Sequence, residues 1–246
     1  MVERQKTNIG LLTDIHYDGG AEAMNRLYEA VVLLNAAGVD AMLLMGDLVN
    51  GDSELHAQRL LREVAAICDA FKGCSYFMHG NHDLDYISKA QFFSTLGRAG
   101  DPSRFDFKLG GYSFICIDGN FSPDHSEYNC GNFQWQESFV PEEQLEWLRG
   151  RLAASLLPVV VISHQRIDKE CIHAVRNHED VRSTIALSDK VSAVFQGHNH
   201  EDDLQMIDGT SYYTLAAHVD GAGPAVIQLD AKGVRLMRDI QSLEMA

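Results

Sequence analysis

Apolar and polar positions alternate with two different periods along this chain, and the first half orders them regularly. Short apolar runs at residues 8–13, 39–45 and 75–78 have strand length, and between them lie two stretches with helical spacing. The first, residues 21–37, places Leu27, Val31 and Leu34 on one face and ends at Gly38, where a left-handed cap is wanted. The second, residues 54–71, gathers Leu60, Leu61, Val64, Ile67, Cys68 and Phe71 on one side. Strand alternating with helix predicts an α/β fold whose sheet begins with parallel strands.

The pattern then changes. Residues 105–109 and 112–117 read as two strands about the two-residue turn Gly110-Gly111, and residues 118–140 form a long irregular segment rich in Asn, Asp, His and aromatics. Pro141-Glu142-Glu143 opens a helix reaching about residue 155. Two wholly apolar runs follow at 159–162 and 191–195. Residues 205–207, 212–215, 225–229 and 234–240, separated by Gly-containing turns, predict an antiparallel meander.

Five of these predicted strands run directly into residues that can ligate metal. They supply Asp14 and His16, Asp47, Asn81, His164, and His198 with His200. The carboxyl ends of strands are where open α/β sheets place their sites. Gly80-Asn81-His82-Asp83 is the densest of these groups, joining a flexible turn, a neutral oxygen ligand, an imidazole that titrates near neutrality and a carboxylate able to hold its ring.

Composition narrows the classes. With 246 residues, 46% of them hydrophobic, the chain can bury a large core, and the absence of a linker or repeat favours one domain over residues 1–246. No apolar run approaches the roughly 20 residues of a membrane span, and the charged start Met1-Val-Glu-Arg-Gln-Lys6 lacks a signal-peptide pattern. Five cysteines at irregular spacing suit free thiols, so a cytoplasmic location is expected. A formal net charge of −15 disfavours nucleic acid as partner. Oligomeric state is not legible.

Seven imidazole, amide and carboxylate ligands without thiolate suit Mn, Fe, Zn, Co or Ni, and they are too many for one tetrahedral ion. They fit two divalent or trivalent ions roughly 3.5–4 Å apart with one bridging carboxylate. Two divalent ions bring four positive charges, Asp14 and Asp47 remove two, and a bridging hydroxide removes one. The remaining charge favours an anionic substrate, a small phosphorylated molecule, with His82 as the acid for its leaving oxygen or a stabiliser of its phosphoryl oxygens, and Asp83 orienting that ring.

The ordered motifs Asp14-x-His16, Gly46-Asp47, Gly80-Asn81-His82-Asp83, His164 and Gly197-His198-x-His200 resemble those of the calcineurin-like metallophosphoesterases over about residues 9–200. The resemblance implies a four-layer αββα sandwich of two mixed sheets flanked by helices. It also implies one metal held by Asp14, His16, Asp47 and His200, and a second by Asp47, Asn81, His164 and His198, with Asp47 the bridge. The segment around Tyr128-Asn-Cys-Gly131-Asn132 is loosely similar to manganese-dependent ADP-ribose and CDP-alcohol diphosphatases. The leading expectation is therefore cleavage of a small-molecule phosphodiester or pyrophosphate by a metal-bridging hydroxide. A phosphomonoesterase, or a non-catalytic protein-binding scaffold of the same fold, stands as the alternative.

The remaining histidines, His56, His79, His125, His173, His178 and His218, read as core or surface residues. Asn120, His125, Asn129 and Asn132 lie in the long loop, within possible reach of a substrate. Trp135, Phe139 and Trp147 read as packing.

Overall fold

The computed structural model describes residues 6–237. Its first half follows the predicted alternation: β1 (Thr7–Leu12), α1 (Ala21–Ala36), β2 (Ala41–Met45), α2 (Glu54–Cys68) and β3 (Cys74–Met78). The three strands pair in parallel, so their carboxyl ends share one edge. A second set comprises β4 (Phe105–Leu109), β5 (Tyr112–Cys116), β6 (Val159–Ile162) and β7 (Val191–Gln196), of which β5, β6 and β7 are parallel. Two sheets result. One has the order β11-β10-β1-β2-β3, where β10 is Ala225–Asp230 and β11 is Gly233–Met237. The other runs β4-β5-β6-β7-β9-β8, where β8 is Asp203–Ile207 and β9 is Thr210–Thr214.

Strand residues alternate between two apolar layers because side chains in a strand point to opposite faces. Ile9, Leu11, Leu43 and Ile227 of the first sheet meet Phe114, Val160 and Phe195 of the second in a core between the sheets. Met42, Leu44 and Val226 face the other way, onto Leu27, Val31, Leu60 and Val64 of α1 and α2 and Phe92 of α3 (Lys89–Thr95). Ile115, Val161 and Val194 pack on Leu145 and Leu148 of α4 (Glu142–Ala154) and Val181 and Ile185 of α5 (His178–Ala186). The molecule is thus an αββα sandwich. The Gly110-Gly111 turn forms as predicted, with φ of 58° and 78°.

The final four strands correct the expected meander. They form two separate hairpins on different sheets: β8 and β9 close against β7, whereas β10 and β11 cross to pair beside β1. Alternation identifies a strand but not its neighbour. The crossing runs through residues 215–224, including Gly221 and Gly223, and carries Ala225, Ile227 and Leu229 into the core between the sheets. The predicted last strand reaches residue 240, of which 238–240 lie outside the described residues. Helices α3 and α5 occur where the apolar pattern predicts none. The first is short and set by a Ser88/Gln91 capping box, and α5 buries His178 and Thr184 beside its two aliphatics, which blurs its period.

Candidate metal centre

Asp14, His16, Asp47, His164, His198 and His200 bring their ligating atoms together where the parallel strand ends of the two sheets meet, and Asn81 follows Gly80, which lies against Asp47. Their side chains are buried except that of His200, which is 38% exposed. Asp14, His16, Asp47, His198 and His200 all have positive φ, between 45° and 65°. Non-glycine residues adopt that conformation at a cost, and it clusters where function over-determines the backbone. Here the neighbouring strand ends hold it: the amides of Asp14 and His16 donate to the carbonyls of Gly46 and Asp47, and the amide of Gly197 donates to that of His164. Close approach also explains two glycines. A Cβ on Gly80 would lie 2.1 Å from Asp47 Oδ1, and one on Gly197 would lie 2.1 Å from Thr13 Oγ1.

The imidazoles are oriented by their outer nitrogens. His16 Nδ1 lies 2.8 Å from Asn50 Oδ1, His164 Nδ1 lies 3.0 Å from the Met45 carbonyl, and His200 Nδ1 lies 2.8 Å from Asp220 Oδ2. Each partner is an acceptor, so each Nδ1 carries the proton and each Nε2 turns a lone pair inward. His16 Nε2 and His200 Nε2 then face one another at 3.2 Å. Two lone pairs at that distance repel unless a cation lies between them, and the spacing fits two nitrogens roughly 2.0–2.1 Å from one ion. Around this pair stand Asp14 Oδ1, 3.6 Å from His200 Nε2, and Asp47 Oδ2, 3.8 Å from His16 Nε2.

On its other side, Asp47 Oδ2 lies 3.3 Å from His164 Nε2 and 4.0 Å from His198 Nδ1. Each carboxylate offers a single free oxygen. Asp14 Oδ2 accepts from Thr13 Oγ1 and the His198 amide, and Asp47 Oδ1 accepts from the His82 amide. Asp14 Oδ1, Asn81 Oδ1 and His164 Nε2 are fully buried without a hydrogen-bond partner. Buried polar atoms are rarely left so. Asp14, Asp47 and Asp83 are all buried here, and no Lys or Arg pairs with them among the described residues. Burial raises the pKa of Asp47, but the facing His164 outweighs it and holds the carboxyl well below its usual range. For His164 burial acts downward and Asp47 upward, with the net value raised to about 9. The donor set fits metal.

Asp83 corrects the expectation for its role. Its Oδ1 accepts from the amides of Leu48 and Val49, and its Oδ2 from that of Gly80, so it clamps the end of β2 to the turn that presents Asn81. Burial and the charge of Asp47 raise its pKa to about 7, against the pull of those donors. The His82 ring is held instead by Asp85, with Nδ1 3.0 Å from Oδ2. His82–Leu84 is a short 3-10 turn, in which side chains three apart fall on the same side. That bond raises the pKa of His82; burial opposes it, and the net value is about 9. Its side chain is 44% exposed and, with Asp47, Trp135, His173, His198, Asn199 and His200, it lines an open pocket of about 230 Å³.

The sequence of residues 7–202 matches the family model for calcineurin-like phosphoesterases. The chain belongs to that family. Its members are metal-dependent phosphoesterases with dinuclear centres, and the clustered Asp and His side chains here accord with that chemistry. Solved structures share the fold at low identity. A dimetal phosphatase from Danio rerio is 19% identical, with a TM-score of 0.80 over 94% of this chain and 98% of that one. A protein described as GAP50, the anchor in the inner membrane complex of Plasmodium, is 13% identical, with a TM-score of 0.70 over 94% of this chain and 83% of its own. Purple acid phosphatase PPD1 from yellow lupin (Lupinus luteus) is 10% identical, with a TM-score of 0.60 over 95% of this chain and 52% of its own. A search of curated protein sequences gives no match.

In this calcineurin-like phosphoesterase Asn50, Asp85 and Asp220, which orient His16, His82 and His200, and Trp135 and His173 at the pocket belong to none of the sequence motifs. Asp85 alone carried a signal, its three-residue spacing from His82. The long loop turns mostly elsewhere. Asn120 bonds His79 and Gln165, Asn132 bonds the backbone at Asn129 and Glu127, and His125 stacks on Phe139. Asp118 pairs with buried Lys89, tying the loop to α3. Trp147 packs at the second sheet's helix layer as expected. Among the described residues all five cysteines are free thiols, and no helix is long and apolar enough to cross a membrane.

Proposed function

We propose that the protein hydrolyses a phosphodiester or pyrophosphate bond of a small molecule. One metal ion would be held by Asp14, His16, Asp47 and His200, and the other by Asp47, Asn81, His164 and His198, with Asp47 shared. The observation that carries this reading is the position of Asp47 Oδ2, which has inward-facing imidazole nitrogens on both sides of it. When bound, the ions would polarise phosphoryl oxygens and lower the pKa of water enough to supply a nucleophile at neutral pH.

The chain's own residues do the rest. His82 stands at the open pocket beside Asp47, its ring fixed by Asp85, and gives a proton to the leaving oxygen. The Asp47 carboxylate holds the His82 amide at 2.9 Å, so the acid and the shared ligand are positioned together. Asp83 keeps the turn between them closed. Among the described residues no Lys or Arg lines the pocket. A monoester dianion would therefore find no cation beyond the two ions and His82, which favours phosphoryl groups with a single negative charge. The imidazole, amide and carboxylate donors suit Mn, Fe, Zn, Co or Ni.

The GAP50 likeness keeps a scaffold role in view, since that relative is described as an anchor. Seven ligand residues with their orienting partners in place argue for catalysis. The test is hydrolysis of bis- and mono-nitrophenyl phosphate, then dinucleotide pyrophosphates and cyclic nucleotides, with each metal in turn. Diester or pyrophosphate cleavage is expected to exceed monoester cleavage. A clear preference for monoesters with every metal would replace this reading by the phosphomonoesterase, and no turnover with any would favour the scaffold.

A further inference from the structure

Trp135 is half-buried in a pocket whose other walls are polar, and it does not stand there alone. Its ring stacks on His173, with centroids 5.5 Å apart and planes 23° from parallel. Both rings meet His198 edge-on, at 5.4 Å and 5.2 Å. The stack therefore stands one imidazole away from the group of metal-ligating atoms.

The two segments that carry these rings are fastened to one another. Arg176 forms an ion pair with Glu137, and its amide donates to the Ser138 carbonyl at 2.7 Å. The Asn177 side chain accepts from the Val140 amide and donates to the Val140 carbonyl. Beneath His173, the Arg166 amide donates to the His173 carbonyl, and the Val175 amide donates to that of Arg166. Arg166 is 1% exposed, and its guanidinium is bonded to Asp168 and Asp203. Burying such a charge is costly, and this one fixes the segment that follows His164. What it holds in place is the segment that carries His173.

We propose that Trp135, backed by His173, is a stacking platform for a planar group of the substrate, a nucleobase or a ring of similar shape, joined to the phosphorus through a spacer of about a sugar's length. This rests on the phosphoesterase reading. The spacer follows from the intervening His198 ring: a planar group esterified directly to phosphorus would sit over the ligands and short of Trp135. Aromatic side chains accept any base on their faces, so the platform selects for a planar group without choosing which.

The test compares two probes on metal-loaded protein by calorimetry: α,β-methylene adenosine diphosphate, and methylenediphosphonate, which keeps the phosphonate oxygens and lacks the base. Trp135→Ala is expected to weaken the nucleotide about 5–100-fold, leave methylenediphosphonate within about 2-fold, and leave metal content unchanged, while Trp135→Phe keeps most of the nucleotide affinity. The chain has two tryptophans, so Trp147→Phe leaves Trp135 as the sole reporter. Its emission should change with the nucleotide and not with methylenediphosphonate, a reading that does not depend on Trp135→Ala folding. Equal weakening of both probes, or nucleotide binding that is indifferent to Trp135, would overturn the platform while sparing the phosphoesterase reading. If neither probe binds the metal-loaded protein, both proposals fall.

Discussion

Asp47→Asn is expected to weaken both metal ions together, by at least about 10–100-fold each, with activity falling at least as far. Loss of an outer partner of a ligand already costs about that much, and Asp47 is itself proposed as a ligand to both ions. The substitution is nearly isosteric. Its remaining oxygen can still accept from the His82 amide, the bond that Asp47 Oδ1 makes at 2.9 Å, so the fold should persist. What disappears is the negative charge that faces His16 on one side and His164 and His198 on the other. Titration of each metal into the variant, followed by calorimetry, reads the result. Loss of one ion with the second held at wild-type affinity would make Asp47 a terminal ligand and leave Asp14, whose Oδ1 is free, as the candidate bridge.

His82→Ala should leave metal content near wild type and lower kcat by about 10²–10⁴-fold, the usual contribution of a positioned acid. The backbone amide that bonds Asp47 is kept, so the ligand framework is undisturbed. The deficit should shrink for a nitrophenolate, which leaves without protonation, and be largest for an alkoxide. Asp85→Asn should show the same dependence on leaving group with a smaller loss, because it only loosens the ring. His82 also lies within ligand reach of His16 and Asp47. A variant that loses metal, or loses the same factor with good and poor leaving groups, would make it a ligand or a stabiliser of the phosphoryl oxygens.

The clustering of these ligand-type residues was legible in the sequence because each follows a strand of recognisable apolar run, and parallel strands deliver their ends to one edge whatever the intervening loops do. Asp14 and His198 are 184 residues apart, yet the His198 amide bonds the Asp14 carboxylate. Contacts that depend on turn geometry were not legible. Asp83 and Asp85 are both acidic and near His82, and only the 3-10 turn decides that the first points inward to three amides while the second meets the ring. Asn50 and Asp220 stand in loops with no periodic signal, and their acceptor roles exist only once His16 and His200 have been placed. The two carboxyl-terminal hairpins looked alike in sequence because alternation is a property of one strand, while its partner is chosen by the layer it must complete. Trp135 gives no face in the sequence because it stands in an irregular segment, and its edge-on contact with His198 depends on Arg176 and Asn177, about forty residues on.

These strand ends are expected to hold two ions side by side. Elemental analysis of protein prepared without chelator and supplemented with Mn, Zn, Fe, Co or Ni in turn tests it most directly. Two ions per chain with at least one of these metals is the expected result, and a protein that never takes up more than one would contradict it.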